Sequence, residues 1–272
     1  MITSLNLGTN GRLGNQFFQY AALRAVGLEN NYEVKIPNPS SAKWHGQIGL
    51  LNNFNISANF LTYEDAVSIK HSYIEKDHTK VDLSVFDIKD HTTLSGFFQS
   101  TNYFQGHKET IYKELTPKYK FMKEAESYVR DLGNSVIGIH VRRGDCEVNI
   151  DMSKEYLTYV KKAVSLFPGS KFLVFSGGKR VEGDNQDDIK WCKDNLGIEA
   201  FYSESSDTMK DFSRMVACDG NILSPASSFG LWAGHLNSEE GKKVVAPLKY
   251  EFESNNTYES RDGLYSSKFI II

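Results

Sequence analysis

Residues 136–145 read VIGIHVRRGD, and the fold class follows from this stretch. Its first part, Val136 to Val141, is a nearly continuous apolar run, which is typical of a parallel strand buried on both faces. Arg142 and Arg143 come directly after that run. Ligands of parallel sheets bind beyond the carboxyl ends of the strands. The stretch therefore predicts a central strand that delivers two arginines to a ligand site.

Downstream of this strand, predicted helices and strands alternate strictly to the end of the regular pattern. Helical spacing, caps and stop residues predict helices over residues 153–167, 187–196, 207–218 and 227–236. Short apolar runs predict strands over residues 171–176, 198–202, 221–224 and 244–246. Such alternation predicts a parallel sheet with right-handed crossovers.

The N-terminal part opens with a similar unit. The segment Ile2 to Leu7 reads as a strand, an amphipathic helix begins near Leu13, and Glu33 to Ile36 reads as the next strand. We therefore expect two α/β halves that face each other across a cleft, an N-terminal domain of residues 1–125 and a C-terminal domain of residues 126–272.

Composition excludes several classes of protein. The 272 residues are 40% hydrophobic and 12% aromatic, which is enough for a sizeable core. A net charge of -3 provides no overall field for nucleic acid. Three cysteines without CxxC spacing (Cys146, Cys192 and Cys218) indicate neither a disulfide framework nor a zinc site. No signal peptide and no run of about 18 apolar residues is found, so a cytoplasmic protein without a transmembrane segment is expected.

The two arginines suggest an anion. A guanidinium presents planar, bidentate donors that suit phosphate oxygens, and it keeps its charge at any working pH. Asp145 could pair with one arginine and fix its orientation. The alternative is a surface salt bridge between arginine and aspartate in a turn.

A second anion site is predicted by the segment Ser224 to Gly230, where a short strand leads through a proline turn into a helix headed by Ser227 and Ser228. Exposed N–H groups and hydroxyls at a helix N-terminus bind phosphate well. The alternative is an ordinary serine N-cap. Its position in the same sheet as the arginine strand favours the anion site.

The loop from Gly11 to Gln16 is a third candidate, because Arg12 and Asn15 can donate to phosphate and the glycines allow close backbone approach. It lacks GxGxxG, and the chain lacks a P-loop and any Asp-x-Asp, so no chelated metal is predicted. Three cationic or dipolar elements without a metal motif predict a diphosphate leaving group held by arginine and backbone donors.

Several motifs of this chain resemble those of glycosyltransferase family 11, the α-1,2-fucosyltransferases. The stretch GRLGNQFFQYA, residues 11–21, looks like the N-terminal block of that family, and GIHVRRGD, residues 138–145, matches its H-x-R-R-x-D signature. Residues 211–218, with Ile222, Ser227 to Phe229 and Trp232, are similar to a third block. Residues 96–100 and 245–247 resemble lesser blocks.

The resemblance implies a GT-B fold of two Rossmann-like domains. It also implies that the chain would transfer L-fucose from GDP-β-L-fucose to the 2-hydroxyl of a terminal galactoside, with inversion and without metal. GDP-fucose and a galactose-terminated oligosaccharide are thus the expected partners, the N-terminal domain lying on the acceptor side and the C-terminal domain binding the GDP-sugar.

The same resemblance implies roles for individual residues. Arg142 would bind the β-phosphate, while Arg143 would assist or instead hold the domain. His140 would contact the nucleotide. The remaining donor-binding residues would be Arg12, Gly14, Asn15, Ser227, Ser228 and Phe229. Arg142, Asn15 and Asp145 are the expected catalytic residues, although two neighbouring arginines should lower the pKa of Asp145 and make it a poor base. Glu204 and Asp207 are candidates for reading guanine.

Departures from the family pattern keep other functions open. Gly177 and Gly178 stand where the family often has an acidic pair, and Leu231 replaces a tryptophan. One alternative is a related transferase with an α-1,6 linkage or another GDP-sugar, since fold and diphosphate site do not set specificity. The other is a non-catalytic module that binds glycan or nucleotide.

Overall fold

A computed structural model describes residues 1–38, 49–143, 154–177, 185–205, 207–248 and 263–272. The chain forms two compact units, Met1–Lys118 with Arg261–Leu264, and Tyr119–Ser260 with Tyr265–Ile272. The division precedes helix Tyr119–Leu132, in which the expected boundary at residue 125 lies. That helix belongs to the second unit because the guanidinium of Arg214 covers the ring of Tyr128 at 3.6 Å.

The first unit contains a five-stranded parallel sheet. Its strands are β1 (Ile2–Thr3), β2 (Val34–Ile36), β3 (Asn59–Phe60), β4 (His71–Ile74) and β5 (Thr92–Ser95), in the order β3-β2-β1-β5-β4. Its α-helices are α1 (Leu13–Asn30), α2 (Leu50–Asn53), α3 (Tyr63–Val67) and α4 (Lys108–Glu114), with 3-10 turns at Leu83–Asp87, Thr101–Tyr103 and Gln105–His107.

Strand β1 is shorter than the predicted span from Ile2 to Leu7. Leu7 donates its N–H to the carbonyl of Ser4 over 3.1 Å, which closes a turn directly after the strand. Leu5 is left exposed, because this turn removes it from the sheet. Helix α1 begins at Leu13 as predicted and ends at Asn30, and the next residue, Asn31, caps it with a left-handed φ of 56°.

The second unit contains a six-stranded parallel sheet. Its strands are β6 (Val136–Arg142), β7 (Lys171–Gly177), β8 (Phe201–Tyr202), β9 (Gly220–Ile222), β10 (Lys243–Ala246) and β11 (Ile270–Ile271), in the order β11-β10-β9-β6-β7-β8. Its helices are α5 (Tyr119–Leu132), α6 (Lys154–Val164), α7 (Gln186–Asn195), α8 (Thr208–Ala217) and α9 (Ser228–Glu239).

Every helix and strand predicted after residue 135 is therefore present, with ends shifted by a few residues. The chain runs from β6 outward to β8 and then returns to the other side of β6 with β9. This makes the β6–β9 junction the topological switch point, where ligands of such sheets bind.

The two faces of β6 meet different partners. Ile137, Ile139 and Val141 pack in one apolar cluster with residues of α6 and α7, including Tyr156 and Cys192. Because side chains alternate along a strand, His140 and Arg142 lie on the opposite face. Cys192 and Cys218 are free, buried thiols, and Cys146 lies outside the described residues. Of the helices in the described ranges, none has the length and apolarity to span a bilayer.

Candidate functional site

The ends of β6 and β9 lie side by side in the second unit. The strands pair in parallel, with Ile139 opposite Ile222. Just beyond them, the backbone N–H of Arg142 donates to Oγ of Ser224 over 3.0 Å. The arginine segment and the segment leading into the serine-headed helix, predicted separately, are therefore joined at one edge of the sheet.

His140 lies two residues before Arg142 on the same face of β6. Burial, and then the positive charge of Arg142, lower the pKa of His140 from 6.5 to about 3. The imidazole is therefore neutral at working pH. Its ring centroid is 5.7 Å from that of Phe229, and a Cβ added at Gly230 would lie 2.7 Å from its Nδ1. Nδ1 has no hydrogen-bond partner within the described ranges.

The N-terminus of α9 carries a serine that does not cap the helix. Ser227 occupies the N-cap position with an extended backbone, but its side chain makes no cap hydrogen bond. The residue is 1% exposed, and its Oγ finds no partner in the described part of the chain. An ordinary serine N-cap, the alternative reading of this position, is thus not what the structure contains.

Backbone donors cluster at the same place. The first hydrogen bond of α9 runs from the N–H of Leu231 to the carbonyl of Ser227, over 3.1 Å. The N–H groups of Ser228, Phe229 and Gly230 therefore have no acceptor within the helix. Ala226, with a φ of 53°, makes the sharp turn into the helix. Such a helix end, positive in potential and rich in donors, is suited to an oxyanion.

Arg143 is directed to the other face of the sheet. Its Nε donates to Oδ1 of Asp188 over 3.1 Å, and its guanidinium carbon lies 4.5 Å from the ring centroid of Trp191. Asp188 is fully buried, so this ion pair fixes α7 against the end of β6. Arg143 therefore contacts α7 through both Asp188 and Trp191. Asp145, the other expected partner, lies outside the described residues.

The two residues expected to read guanine have other contacts. Glu204 is exposed and pairs with Nζ of Lys193 over 3.3 Å. Asp207 accepts hydrogen bonds from the N–H groups of Met209 and Lys210, which makes it the N-cap of α8.

Asp211, which received no role from sequence, is chemically more unusual. It accepts a hydrogen bond from Oγ of Ser203 over 2.6 Å. Burial raises its pKa from 3.8 to about 7, against the lowering effects of the Ser203 hydrogen bond and the Arg214 charge. A carboxyl that titrates near neutral pH can donate as well as accept hydrogen bonds. In the sequence, Asp211 is an acidic residue in the first turn of a predicted helix, and acidic residues are common at such positions.

In the first unit, the N-terminus of α1 is built like that of α9. Arg12 is the N-cap residue and makes no side-chain cap bond. The N–H of Gln16 is bonded to the Arg12 carbonyl over 3.0 Å. The N–H groups of Leu13, Gly14 and Asn15 consequently have no acceptor within the helix.

Gly11 is required beside Asn15. Its φ is +91°, and a Cβ built there would lie 2.3 Å from Nδ2 of Asn15. Any other residue at position 11 would displace the asparagine. Throughout the parts of the chain that the structure describes, no three His, Cys, Asp or Glu side chains are grouped to hold a metal ion.

The sequence of the chain is similar to those of known glycosyltransferases. The family model described as glycosyl transferase family 11 matches residues 2–265. An alpha-1,2-colitosyltransferase from Escherichia coli is 27% identical over 285 residues, covering 92% of this chain and 93% of the relative. Galactoside alpha-(1,2)-fucosyltransferase 1 from Homo sapiens is 28% identical over 251 residues, covering 84% of this chain and 64% of that protein.

The fold has a counterpart among solved structures. A crystal structure of POFUT1 in complex with GDP superposes with a TM-score of 0.55 at 13% identity, covering 86% of this chain and 93% of that one. Together with the two parallel sheets flanked by helices, this likeness confirms the expected fold class, a GT-B-like pair of Rossmann-like units.

Proposed function

Because the chain belongs to glycosyltransferase family 11, we propose that it moves L-fucose from GDP-β-L-fucose to the 2-hydroxyl of a terminal galactoside. The proposed transfer inverts the anomeric centre and needs no metal ion. One observation carries the proposal: at the switch point of the second unit, the backbone N–H of Arg142 donates to Ser224, in the segment that leads into α9.

The proposed chemistry is stabilisation of a departing diphosphate. As the bond between fucose and phosphate breaks, negative charge develops on the β-phosphate. The proposed donors to this charge are the Arg142 guanidinium, Oγ of Ser227 and the backbone N–H groups from Ser228 to Gly230. Fixed donors of this kind are each worth about a 100-fold to 1,000-fold rate effect.

His140 and Phe229 are proposed to bind the nucleotide next to the diphosphate. A neutral imidazole offers one donor and one acceptor and adds no charge that would compete with Arg142 for phosphate. Arg143 is proposed to act indirectly, by holding the end of β6 against α7 through Asp188 and Trp191.

The proposed donor-binding residues of the first unit are Arg12, Gly14 and Asn15. The N–H groups at the start of α1, which have no acceptor within the helix, form a second anion-binding helix end, and the Asn15 amide lies beside Gly11 at this end. We propose that Asn15 donates to the sugar–phosphate linkage as charge develops there. Asp145, the other expected catalytic residue, lies outside the described residues.

The linkage and the acceptor rest on relatives. The human relative is named for an α-(1,2) linkage to galactosides, and the bacterial relative is named for the same linkage with colitose. Colitose is the 3-deoxy form of fucose, so a second candidate is transfer from another GDP-sugar. A thermal-shift panel of GDP-fucose, GDP-colitose, GDP-mannose and UDP-galactose separates these donors, since a true donor stabilises the protein according to its affinity.

Linkage analysis of the product tests the proposal. We expect incubation with GDP-fucose and lactose or N-acetyllactosamine to give an α-fucosyl group on O2 of galactose. An α-1,6 product would replace the proposed linkage. Tight GDP binding without any transfer to either galactoside would instead favour a binding module. Arg142→Ala is the negative control, in which product should fall to a small fraction.

A further inference from the structure

The Asn15 amide is held in one orientation by a second amide. Gln99, in the loop after β5, donates from Nε2 to Oδ1 of Asn15 over 2.7 Å. A carboxamide has an acceptor end and a donor end. Because Oδ1 accepts the hydrogen bond from Gln99, the donor end of Asn15 is turned away from Gln99. Nδ2 then lies against Gly11, whose missing side chain makes the room.

The loop that carries Gln99 is itself fixed by a carboxylate. Glu75, at the end of β4, accepts from the N–H of Phe97 over 2.7 Å and from the N–H of Phe98 over 3.1 Å. Phe98 has a φ of 50°, a left-handed conformation that a bulky residue rarely adopts unless its surroundings impose it. At Gly96, a Cβ would lie 2.5 Å from Cβ of Glu75, so only glycine lets the two segments approach.

Packing holds the same loop from the other side. The Phe98 ring is 1% exposed, lies 6.3 Å from the Tyr73 ring in a stacked geometry, and meets the Tyr103 ring edge-on at 5.4 Å. The N–H of Ser100 donates to the Phe98 carbonyl over 2.8 Å. The backbone is therefore fixed on both sides of Gln99, and its position does not depend on Asn15.

We propose that Gln99 is a positioning residue that selects the orientation of the Asn15 amide, and that Glu75 acts one step further back by holding the Gln99 loop. The inference rests on the proposed function, in which Asn15 donates to the linkage that breaks. With the amide reversed, Asn15 would present an oxygen to a developing negative charge. The loop after β5 thus determines whether the start of α1 favours or opposes the reaction.

Two substitutions of Gln99 distinguish a reversed Asn15 amide from an Asn15 amide that has lost its hydrogen bond to Gln99. Gln99→Glu keeps the length of the side chain but replaces the donor with an acceptor, so the Asn15 amide should reverse. We expect kcat for GDP release from GDP-fucose with lactose to fall about 30-fold to 100-fold, with the KM for GDP-fucose changing less than about threefold. Gln99→Met keeps the shape without either group, and we expect a loss of about 5-fold to 10-fold.

Matched variants control for charge and for the loop. Gln105→Glu introduces the same charge at an exposed position of the same unit and should leave kcat within about twofold. Glu75→Gln weakens the hold on the loop and should lower kcat about 3-fold to 10-fold. Asn15→Ala should lower kcat about 100-fold, and adding Gln99→Glu to it should lower kcat by less than about twofold more, because Gln99 acts only through Asn15.

The outcomes distinguish this inference from the proposed function. If Asn15→Ala retains full kcat, the role of Asn15 is wrong, and the inference is overturned with it. If Asn15→Ala loses activity but Gln99→Glu and Gln99→Met do not, only the inference is overturned. An equal fold-loss from Gln99→Glu with and without Asn15→Ala would also overturn it, since that result shows a general structural effect.

Discussion

The backbone N–H of Arg142 donates to the hydroxyl oxygen of Ser224 over 3.0 Å, and this bond connects the ends of two neighbouring strands. Ser224 is 3% exposed, and only Pro225 and Ala226 separate it from Ser227 at the head of α9. The position of the helix is thereby fixed relative to the arginine. Donors that are placed before a ligand arrives need little reorganisation when charge develops on it.

Replacing Arg143 should lower the free energy of unfolding and leave the Kd for GDP nearly unchanged. Arg143→Met leaves the buried Asp188 carboxylate without its guanidinium, and breaking such a pair costs about 3 kcal/mol in the free energy of unfolding. We expect urea unfolding to show this loss, while the Kd for GDP changes less than about threefold.

The same experiment has two controls on α7. Arg143→Met combined with Asp188→Leu should recover most of the loss, because no buried charge remains. Lys190→Met removes an exposed ion pair with Asp194 and should change stability by less than about 1 kcal/mol. A large loss of GDP affinity in a stable Arg143→Met protein would assign Arg143 to the ligand instead.

Removing the Ser227 hydroxyl should weaken GDP binding at little structural cost. This oxygen has no partner among the residues that the structure describes, so Ser227→Ala should change the free energy of unfolding by less than about 1 kcal/mol. A lost hydrogen bond to a charged phosphate should raise the Kd for GDP about 10-fold, measured by calorimetry. Ser238→Ala, which removes a buried hydroxyl bonded to the His235 carbonyl, is the control and should leave the Kd unchanged.

Asp211 should make stability depend on pH. Its pKa is raised from 3.8 to about 7 in the folded protein, chiefly by burial. Between about pH 4 and pH 7 the folded state keeps a proton that the unfolded state releases, so stability is lost as the pH rises through this window. Asp211→Asn removes this contribution. We expect the urea midpoint of wild type to fall more between pH 5 and pH 7.5 than the midpoint of the variant.

The control for this titration is Asp194→Asn, at an exposed position on α7, which should keep the wild-type pH dependence. If wild type and Asp211→Asn give parallel curves over the whole range, the Asp211 carboxyl does not titrate as stated.

Chelation should not stop the reaction. The proposed stabilisation of diphosphate comes from Arg142 and helix N–H groups rather than from a bound cation. We expect turnover of GDP-fucose in excess EDTA to stay within about twofold of the untreated rate. Loss of turnover that added Mg²⁺ or Mn²⁺ restores would refute the metal-free part of the proposal.

Much of the second unit could be predicted from sequence, because its strands are buried on both faces and read as apolar runs. The adjacency of Arg142 and Ser224 also followed from strand ends that meet at one sheet edge. The first unit was harder to predict, since strands such as β3 (Asn59–Phe60) have two residues and carry almost no periodic signal.

Individual side-chain roles could not be predicted in the same way. Arg142 and Arg143 are adjacent residues of the same type, so the sequence does not distinguish their roles. The structure shows that Arg143 contacts Asp188 and Trp191, on the face of the sheet opposite to that of Arg142. The hydrogen bond from Gln99 to Asn15 joins residues far apart in the chain. The raised pKa of Asp211 depends on burial, which a helical acidic residue does not reveal in sequence.

The central claim is that Arg142 binds the β-phosphate of the nucleotide, and titration calorimetry with GDP and GMP on wild type and Arg142→Ala tests it most directly. Wild type should bind GDP at least about 100-fold more tightly than GMP, since GMP lacks that phosphate. In Arg142→Ala this ratio should fall by about 10-fold or more, with GMP affinity nearly unchanged. An unchanged ratio of GDP to GMP affinity in the folded variant would contradict the claim.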